Sequence, residues 1–348
     1  MATKRESQAA RNLVIIASLF IITAGLKAAG TLITPLLVSL FFAVLCMPPL
    51  HRLKKSGVPD GIAIAIVILG ATIIVLGITT IIGRSLAGFE SSLPAYRSAL
   101  DAHASSVFEW FGTRGLDISA EELSSKISTG SILTMVQGVA SELLAALSQI
   151  FLVILTMIFM LIEASSVPSK LRRAIGKPTA DLKEWGAAME QVQKYVAIKA
   201  AVSLATAALA TILTAALGVD FPLLWGLIAF LFNFIPNIGS VIAAVPPMLL
   251  ALVQFGVSSA ALVGAGYFAI NMVMGNVIEP RLMGRRLGLS TLVVFLSLIF
   301  WNWVWGPVGM VLSVPLTVIV KIILEHSSEF RGLAIMLGSE DDEQPIES

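Results

Sequence analysis

The chain has 348 residues, of which 57% are hydrophobic and only 13% charged, with a mean hydropathy of +0.90 and a formal net charge of +1. That is too apolar for an ordinary water-soluble domain of this length and places the chain in a bilayer. The near-zero charge, with no run of Lys or Arg interleaved with aromatics, excludes a nucleic-acid binder, and the single Cys46 excludes an internal disulfide.

At the N-terminus Lys4, Arg5 and Arg11 precede "LVIIASLFIITAGLKAAG", a pattern that mimics the charged and apolar regions of a signal peptide. Because "TLITPLLVSLFFAVLCM" follows at once as the return arm of a membrane hairpin, the start reads as uncleaved and cytoplasmic. A spanning helix needs roughly 17 to 25 mostly apolar residues. This rule predicts spans near residues 12–29, 31–49, 61–83, 143–163, 195–217 and 257–276. Lys and Arg mark the cytoplasmic loops: Arg52, Lys54 and Lys55; Lys170, Arg172, Arg173, Lys177, Lys183 and Lys194; and Arg281, Arg285 and Arg286. Both termini then face the cytoplasm. The chain divides into N-terminal transmembrane helices (1–83), an extracytoplasmic segment (84–142), a transmembrane transport core (143–328) and an acidic cytoplasmic tail (329–348).

Residues 84–142 hold four basic against seven acidic residues and are placed outside. Leu86, Phe89, Leu93, Leu100, Val107 and Phe111 recur there at helical spacing, which predicts an amphipathic helix. Such a stripe lies on the membrane surface, packs against neighbouring subunits, or folds on itself as a connector, and the pattern leaves all three open.

The fifth span ends outside at "GVDFP", and the chain is inside again by Arg281. One crossing near 257–276 achieves that, so residues 222–255 must begin and end on one side. They are expected to form a re-entrant hairpin of two half-helices, near 222–234 and 240–254. Its tip is Pro236-Asn237-Ile238-Gly239, where proline removes a donor and glycine permits the reversal. Pro246 and Pro247 add to the interruption. Broken backbone at membrane depth is tolerated only against protein or a water-filled cavity.

Residues 289–325 predict a second hairpin, entered from inside, with its midpoint at Gly306-Pro307-Val308-Gly309. An offset of 70 residues lays Gly218 on Gly288, Phe230 on Phe300, Gly239 on Gly309 and Val241 on Val311. Opposed, interrupted segments are the pattern of inverted repeats in secondary transporters, with substrate near the midplane. The two tips are therefore expected to share a polar pocket, although either segment could instead cross the membrane once or twice. The fold class expected is all-α: a polytopic integral membrane protein with two opposed re-entrant helical hairpins in its C-terminal half and an amphipathic helical extracytoplasmic segment.

The candidate substrate-binding residues are Asn233, Pro236, Asn237, Gly239, Asn271, Asn276, Asn302, Pro307 and Gly309. An amide offers donors and an acceptor without charge, which suits a small, hydroxyl-rich, neutral or weakly anionic solute. Half-helix N-termini near 238–241 and 308–311 would add free N–H groups. Each asparagine has a plainer alternative, bonding the backbone that a break exposes. Asn302 also lies among Trp301, Trp303 and Trp305, which read equally well as an interfacial belt.

Glu279 and Arg281, beside Pro280, are the candidates for gating or coupling, as a paired gate or a proton carrier; an ordinary loop salt bridge is the alternative. Lys27, Glu163, Lys199 and Lys321 fall at span ends and are read as snorkelling to the interface. Asp220 reads as a helix cap. No acidic pair lies mid-span, so strong proton or sodium coupling is not expected. His51, His103 and His326 share no metal-ligand spacing, and the chain has neither a Gly-x-x-x-x-Gly-Lys-Ser/Thr loop nor a His-Glu-x-x-His pair. No metal, cofactor or ATPase activity is expected, and no nucleophile, base and orienting group assemble into an enzyme.

"FNFIPNIGSVIAAVPP" and "GNVIEPRLMGRRLGLSTLVVFLSLIFWNWVWGPVGMVLSVPLTVIVKI", with "LPAYRSAL" in the outer segment, closely resemble the autoinducer-2 exporter family of bacterial inner-membrane proteins. The resemblance covers nearly the whole chain and is most specific across residues 221–325. It implies export of a small furanone-derived quorum-sensing signal, a multi-span helical architecture, and homo-oligomers, pentamers among them. Some relatives are regarded as sodium/proton antiporters. No family set of binding residues carries over, so the candidate sites rest on residue chemistry alone. Three functions are weighed: a secondary exporter with its substrate at the hairpin tips, a sodium/proton antiporter using Glu279, and a non-transporting membrane scaffold acting through residues 84–142. The expected partners are the small polar signalling molecule, membrane lipid and further copies of the chain.

Overall fold

In hydrocarbon each backbone N–H must find its acceptor within its own segment, so a chain this apolar folds as helix. The computed structural model describes residues 2–112, 138, 141, 150–164, 170, 180–236, 238–283, 289–325 and 330–338, and every regular element among them is helical. In chain order these are α1 (Ala2–Ala28), α2 (Gly30–Lys55), α3 (Asp60–Gly112), α4 (Ile150–Ala164) and α5 (Ala180–Ala216). There follow α6 (Pro222–Phe232), α7 (Gly239–Phe255), α8 (Val257–Val273), a π-helical turn (Met274–Ile278), α9 (Glu279–Met283), α10 (Thr291–Glu325) and α11 (Arg331–Leu337).

Among the described residues, five stretches are long and apolar enough to cross a membrane: Gly30–Lys55, Asp60–Tyr96, Glu190–Ala216, Val257–Met283 and Thr291–Glu325. With 11 and 17 residues, α6 and α7 are about 16 and 25 Å long, short of a hydrocarbon core of about 30 Å. The chain forms two compact units, one of Leu45–Phe151 and Gln193–Arg286, the other of Met1–Val44, Leu152–Val192 and Leu287–Ser348.

In the first unit α3 runs unbroken from Asp60 to Gly112, through Pro94. The boundary expected at residue 84 is thus not a break in structure: Glu, Ala, Leu and Arg keep the helix going across it. Ile82, Phe89 and Tyr96 form a buried stripe that packs into one core with Leu224, Trp225 and Ile228 of α6 and Leu250 of α7. As far as Tyr96, then, the amphipathic face covers α6 and α7 from within the same chain. The side chains of Leu100, Val107 and Phe111, and residues 113–137, 139–140 and 142–149, lie outside the described residues.

The segment carrying α6 and α7 folds back on itself. Asp220 and Gln254 meet at its open end, where the Asp220 N–H donates to Gln254 Oε1 at 3.2 Å and Gln254 Nε2 donates to Asp220 Oδ2. At the closed end Gly239 lies so near the last turn of α6 that a Cβ there would stand 1.8 Å from the Phe232 carbonyl oxygen. No other residue fits that approach. Pro246 and Pro247 do not interrupt the chain, because α7 passes through both and buries them. Helix ends at Phe232 and resumes at Gly239.

In the second unit α10 leaves helical geometry at Trp305 (φ −129°, ψ 19°) and Gly306 (φ 63°, ψ −149°). Trp301 Nε1 donates to Thr317 Oγ1 at 3.0 Å across this break, between residues 16 positions apart. Along an unbroken helix they would be about 24 Å apart, so the two arms of α10 face each other. Gly309 repeats the device seen at Gly239: a Cβ there would lie 2.0 Å from the Trp301 carbonyl oxygen.

The indoles of Trp301 and Trp305 stack at 4.9 Å, and Trp305 Nε1 donates to the Leu26 carbonyl of α1 at 3.0 Å. Two of the three tryptophans are therefore tied to neighbouring helix through their indole N–H groups. Only Trp303 is exposed, and Lys27 Nζ sits 4.0 Å above its ring. The segment read as a tail begins with α11, whose Leu337 carbonyl accepts from the Ser290 N–H at 3.1 Å. Residues 339–348 lie outside the described residues.

Candidate functional site

The site is built on α5, which starts at Ala180, well before the apolar run at residue 195. Lys199 therefore stands about five turns inside a helix and not at its end. It is 3% exposed, and its Nζ pairs with Glu279 Oε1 at 2.6 Å. The snorkelling role expected for Lys199 is overturned. The pairing expected between Glu279 and Arg281 is also replaced, since Arg281 is exposed and Glu279 turns to α5. Lys321 is likewise buried, beside Glu325 at 3.4 Å. Desolvating an ammonium or a carboxylate costs several kcal/mol for each ion, so Lys199 and Glu279 depend on each other to remain charged.

One turn further along α5, Ser203 Oγ accepts a hydrogen bond from Asn233 Nδ2 at 2.9 Å, with both residues buried. Asn233 caps the C-terminus of α6, its backbone N–H reaching the Ala229 carbonyl at 3.0 Å. Its amide thus serves neighbouring α5 and not the backbone exposed by the break. The next turn carries Thr206, 6% exposed, whose Oγ1 is buried without a hydrogen-bond partner among the described residues. Lys199, Ser203 and Thr206 follow one another at spacings of four and three, one face of a helix.

Two neighbours run antiparallel to this face. On α6, Asn233 meets Ser203, while Gly226 sits against Ala207 and Thr211, where a Cβ would lie 2.9 Å from the Ala207 carbonyl oxygen. On the other side Glu279 meets Lys199, and Gly266 of α8 abuts Leu213. That register brings Asn271, Gly275 and Asn276 to the level of Ser203 and Thr206. Asn271 is half-buried, its Oδ1 3.0 Å from where a Gly275 Cβ would stand. Asn276 lies exposed in the π-helical turn, with Nδ2 3.0 Å from Met272 Sδ.

The remaining candidates fall at the two helix breaks. Pro236 is half-buried and Gly239 buried at the tip, whereas Asn237 lies outside the described residues. The N–H groups expected to be free at the start of α7 are partly engaged, since Gly239 donates to the Ile235 carbonyl at 3.3 Å and Val241 to that of Ile238 at 3.1 Å. Asn302 and Pro307 are exposed and Gly309 is buried at the break in α10, in the other unit.

Asp220 is not a cap. The N-cap of α6 is Phe221, at φ 60° and without a side-chain cap, and Asp220 Oδ2 instead accepts from Tyr96 Oη at 2.6 Å. That Tyr96 bond ties α3 to the open end of the α6/α7 hairpin, while the Asp220 carbonyl accepts from Trp225 Nε1 at 2.6 Å within the start of α6. Reading the asparagines alone overlooked Ser203 and Thr206. Their signal is visible in "IKAAVSLATAA", where a lysine and two hydroxyls recur at helical period inside an apolar stretch.

Comparison with known proteins gives these residues a context. The family model described as "AI-2E family transporter" matches residues 15–329. The chain is 40% identical over 324 residues to the AI-2 transport protein TqsA of Escherichia coli (strain K12), covering 93% of this chain and 94% of that protein. It is 37% identical over 323 residues to YhhT of the same organism, covering 93% of each. A Haemophilus influenzae relative is 37% identical over 338 residues, covering 95% of this chain and 97% of its own.

Proposed function

The chain belongs to the AI-2E family of transporters, and from that premise we propose that it is a secondary transporter of the bacterial inner membrane, exporting a small polar signalling molecule of the AI-2 kind. One observation carries the reading: Asn233, at the broken end of α6, bonds Ser203 one turn from the buried Lys199–Glu279 pair. Ionisable groups inside the membrane are costly and mark solute or ion paths, and a helix break at that depth needs a protein-lined polar setting. In the proposed cycle the hairpin of residues 222–255 dips into the membrane from outside and shifts against α5, opening the Asn233–Ser203 contact to admit the solute. The protein is placed with both termini in the cytoplasm, as its Lys and Arg distribution supports, and as a homo-oligomer, with the pentamer implied by the family resemblance.

Deleting the gene and measuring the signal inside and outside the cells tests this. Intracellular signal should rise and extracellular signal fall, with both restored by the wild-type gene; unchanged partitioning would sink the proposal. The same ion pair favours a second reading, sodium/proton antiport through Glu279, because it lies in two stretches long enough to span the membrane. Adding sodium to inverted vesicles should then collapse an imposed pH gradient in the wild type but not in Glu279→Gln.

A further inference from the structure

We propose that the α5 face from Lys199 to Thr206 is itself the solute-binding surface and that it selects an uncharged, hydroxyl-rich solute; this deepens the transporter reading above and rests on it. From Lys199 to Thr206 the helix rises about 10 Å along its axis, the length of a solute of about five or six carbons.

Charge sets the class of solute. Lys199 and Glu279 neutralise each other at 2.6 Å, with side chains 4% and 16% exposed. An anion that takes Lys199 strands the Glu279 carboxylate, and a cation that takes Glu279 strands the ammonium; either leaves an uncompensated charge away from water. A polyol does neither. Its hydroxyls donate to the spare lone pairs of the carboxylate while the ion pair stays shut.

The hydroxyls along the face point the same way. A buried hydroxyl without a partner is destabilising, and a helix offers threonine a simple remedy in the carbonyl four residues back. Thr214, two turns further along the same helix, takes it, bonding the Ala210 carbonyl at 2.8 Å. Thr206 does not. Its hydroxyl is left without a partner among the described residues, three positions on from Ser203, whose oxygen accepts from Asn233 and whose own proton remains to be donated. Asn233 closes the face from the hairpin side.

The distinguishing test opposes stability to binding. Full-length protein is purified, and the neutral probes D-ribose, xylitol and AI-2 are compared with the charged probes D-ribose 5-phosphate and choline. At least one neutral probe should bind saturably and resist displacement by the charged pair. Thr206→Val should weaken that binding about 5- to 10-fold, the loss of one hydrogen bond, while raising the melting temperature. Ser203→Ala provides the same binding loss if the valine variant does not accumulate. Binding unchanged in both variants, displacement by a charged probe, or no binding of any neutral probe overturns the inference. Transport is measured separately in proteoliposomes: binding without transport removes the transporter reading and leaves the surface, whereas transport of AI-2 unaffected by both variants removes the surface and leaves the transporter.

Discussion

Lys199 lies 3% exposed with Glu279 Oε1 2.6 Å from its ammonium, and neither charge is tolerable there without the other. Removing one partner of such a pair typically costs about 3–5 kcal/mol, because the survivor is left as a bare buried charge, while replacing both with apolar groups is often neutral. Lys199→Met should therefore destabilise the protein strongly in chemical unfolding, and Lys199→Met combined with Glu279→Leu should recover most of that loss yet remain inactive in transport. A single variant no worse than the double would show that the pair carries little charge energy. Neither partner was legible as such from the sequence. Lys199 opens the apolar run at 195, which reads as the edge of a span, and the polar turns of α5 before it hide how deep the residue lies. Its carboxylate is 80 positions away, a separation no local spacing can reveal. Asn233 drew notice in the sequence as an amide three residues before Pro236 in an apolar run, but its partner Ser203, 30 positions away, did not.

At the scale of the element, the two hairpins share a steric device. Gly239 and Gly309 each sit on a carbonyl at the end of the preceding half-helix, where an added Cβ would lie 1.8 Å from Phe232 O and 2.0 Å from Trp301 O. Any side chain must open the tip by more than an ångström. Gly239→Ala and Gly309→Ala should each cost about 1–3 kcal/mol, the usual range for overpacking. Gly70→Ala is the control: nothing stands within 4 Å of its added Cβ, so only helix propensity acts and a slight gain is expected. Melting of the three purified variants side by side checks this, and equal effects would mean that the tips yield freely. These breaks were readable because proline and glycine act on the backbone directly. The extent of α3 was not, since hydropathy reports where lipid ends and the backbone hydrogen bonds continue through Pro94 to Gly112. Pro246 and Pro247 misled in the opposite sense, because a helix packed on both sides can hold a proline that an isolated one would not.

For the molecule as a whole, length constrains topology. At about 16 and 25 Å, α6 and α7 are each too short to cross a core of about 30 Å, and the Asp220–Gln254 contact holds the two ends of the segment together. The proposed re-entrant topology draws its support from this: joined ends with arms too short to cross suit a segment that enters and leaves by one face. The Lys and Arg pattern supports the proposal that this face is the outer one, and that assignment is open to direct labelling. In a Cys46→Ser background, which removes the only native thiol, single cysteines replace three residues. Ser56 lies exposed in the basic loop after α2, Ser258 lies exposed at the start of α8 just beyond the hairpin's open end, and Pro236 lies at its tip. A membrane-impermeant maleimide added to intact spheroplasts should label Ser258→Cys only, and added to inverted vesicles should label Ser56→Cys only. Pro236→Cys should react slowly from either side while reacting fully once the protein is unfolded in detergent. Rapid labelling of Pro236→Cys from outside, at the rate of Ser258→Cys, would place the tip in bulk water and remove the geometric basis for a solute site beside Ser203. Labelling of Ser258→Cys from inside would invert the hairpin but keep it, because the joined ends and short arms do not depend on which face is outer.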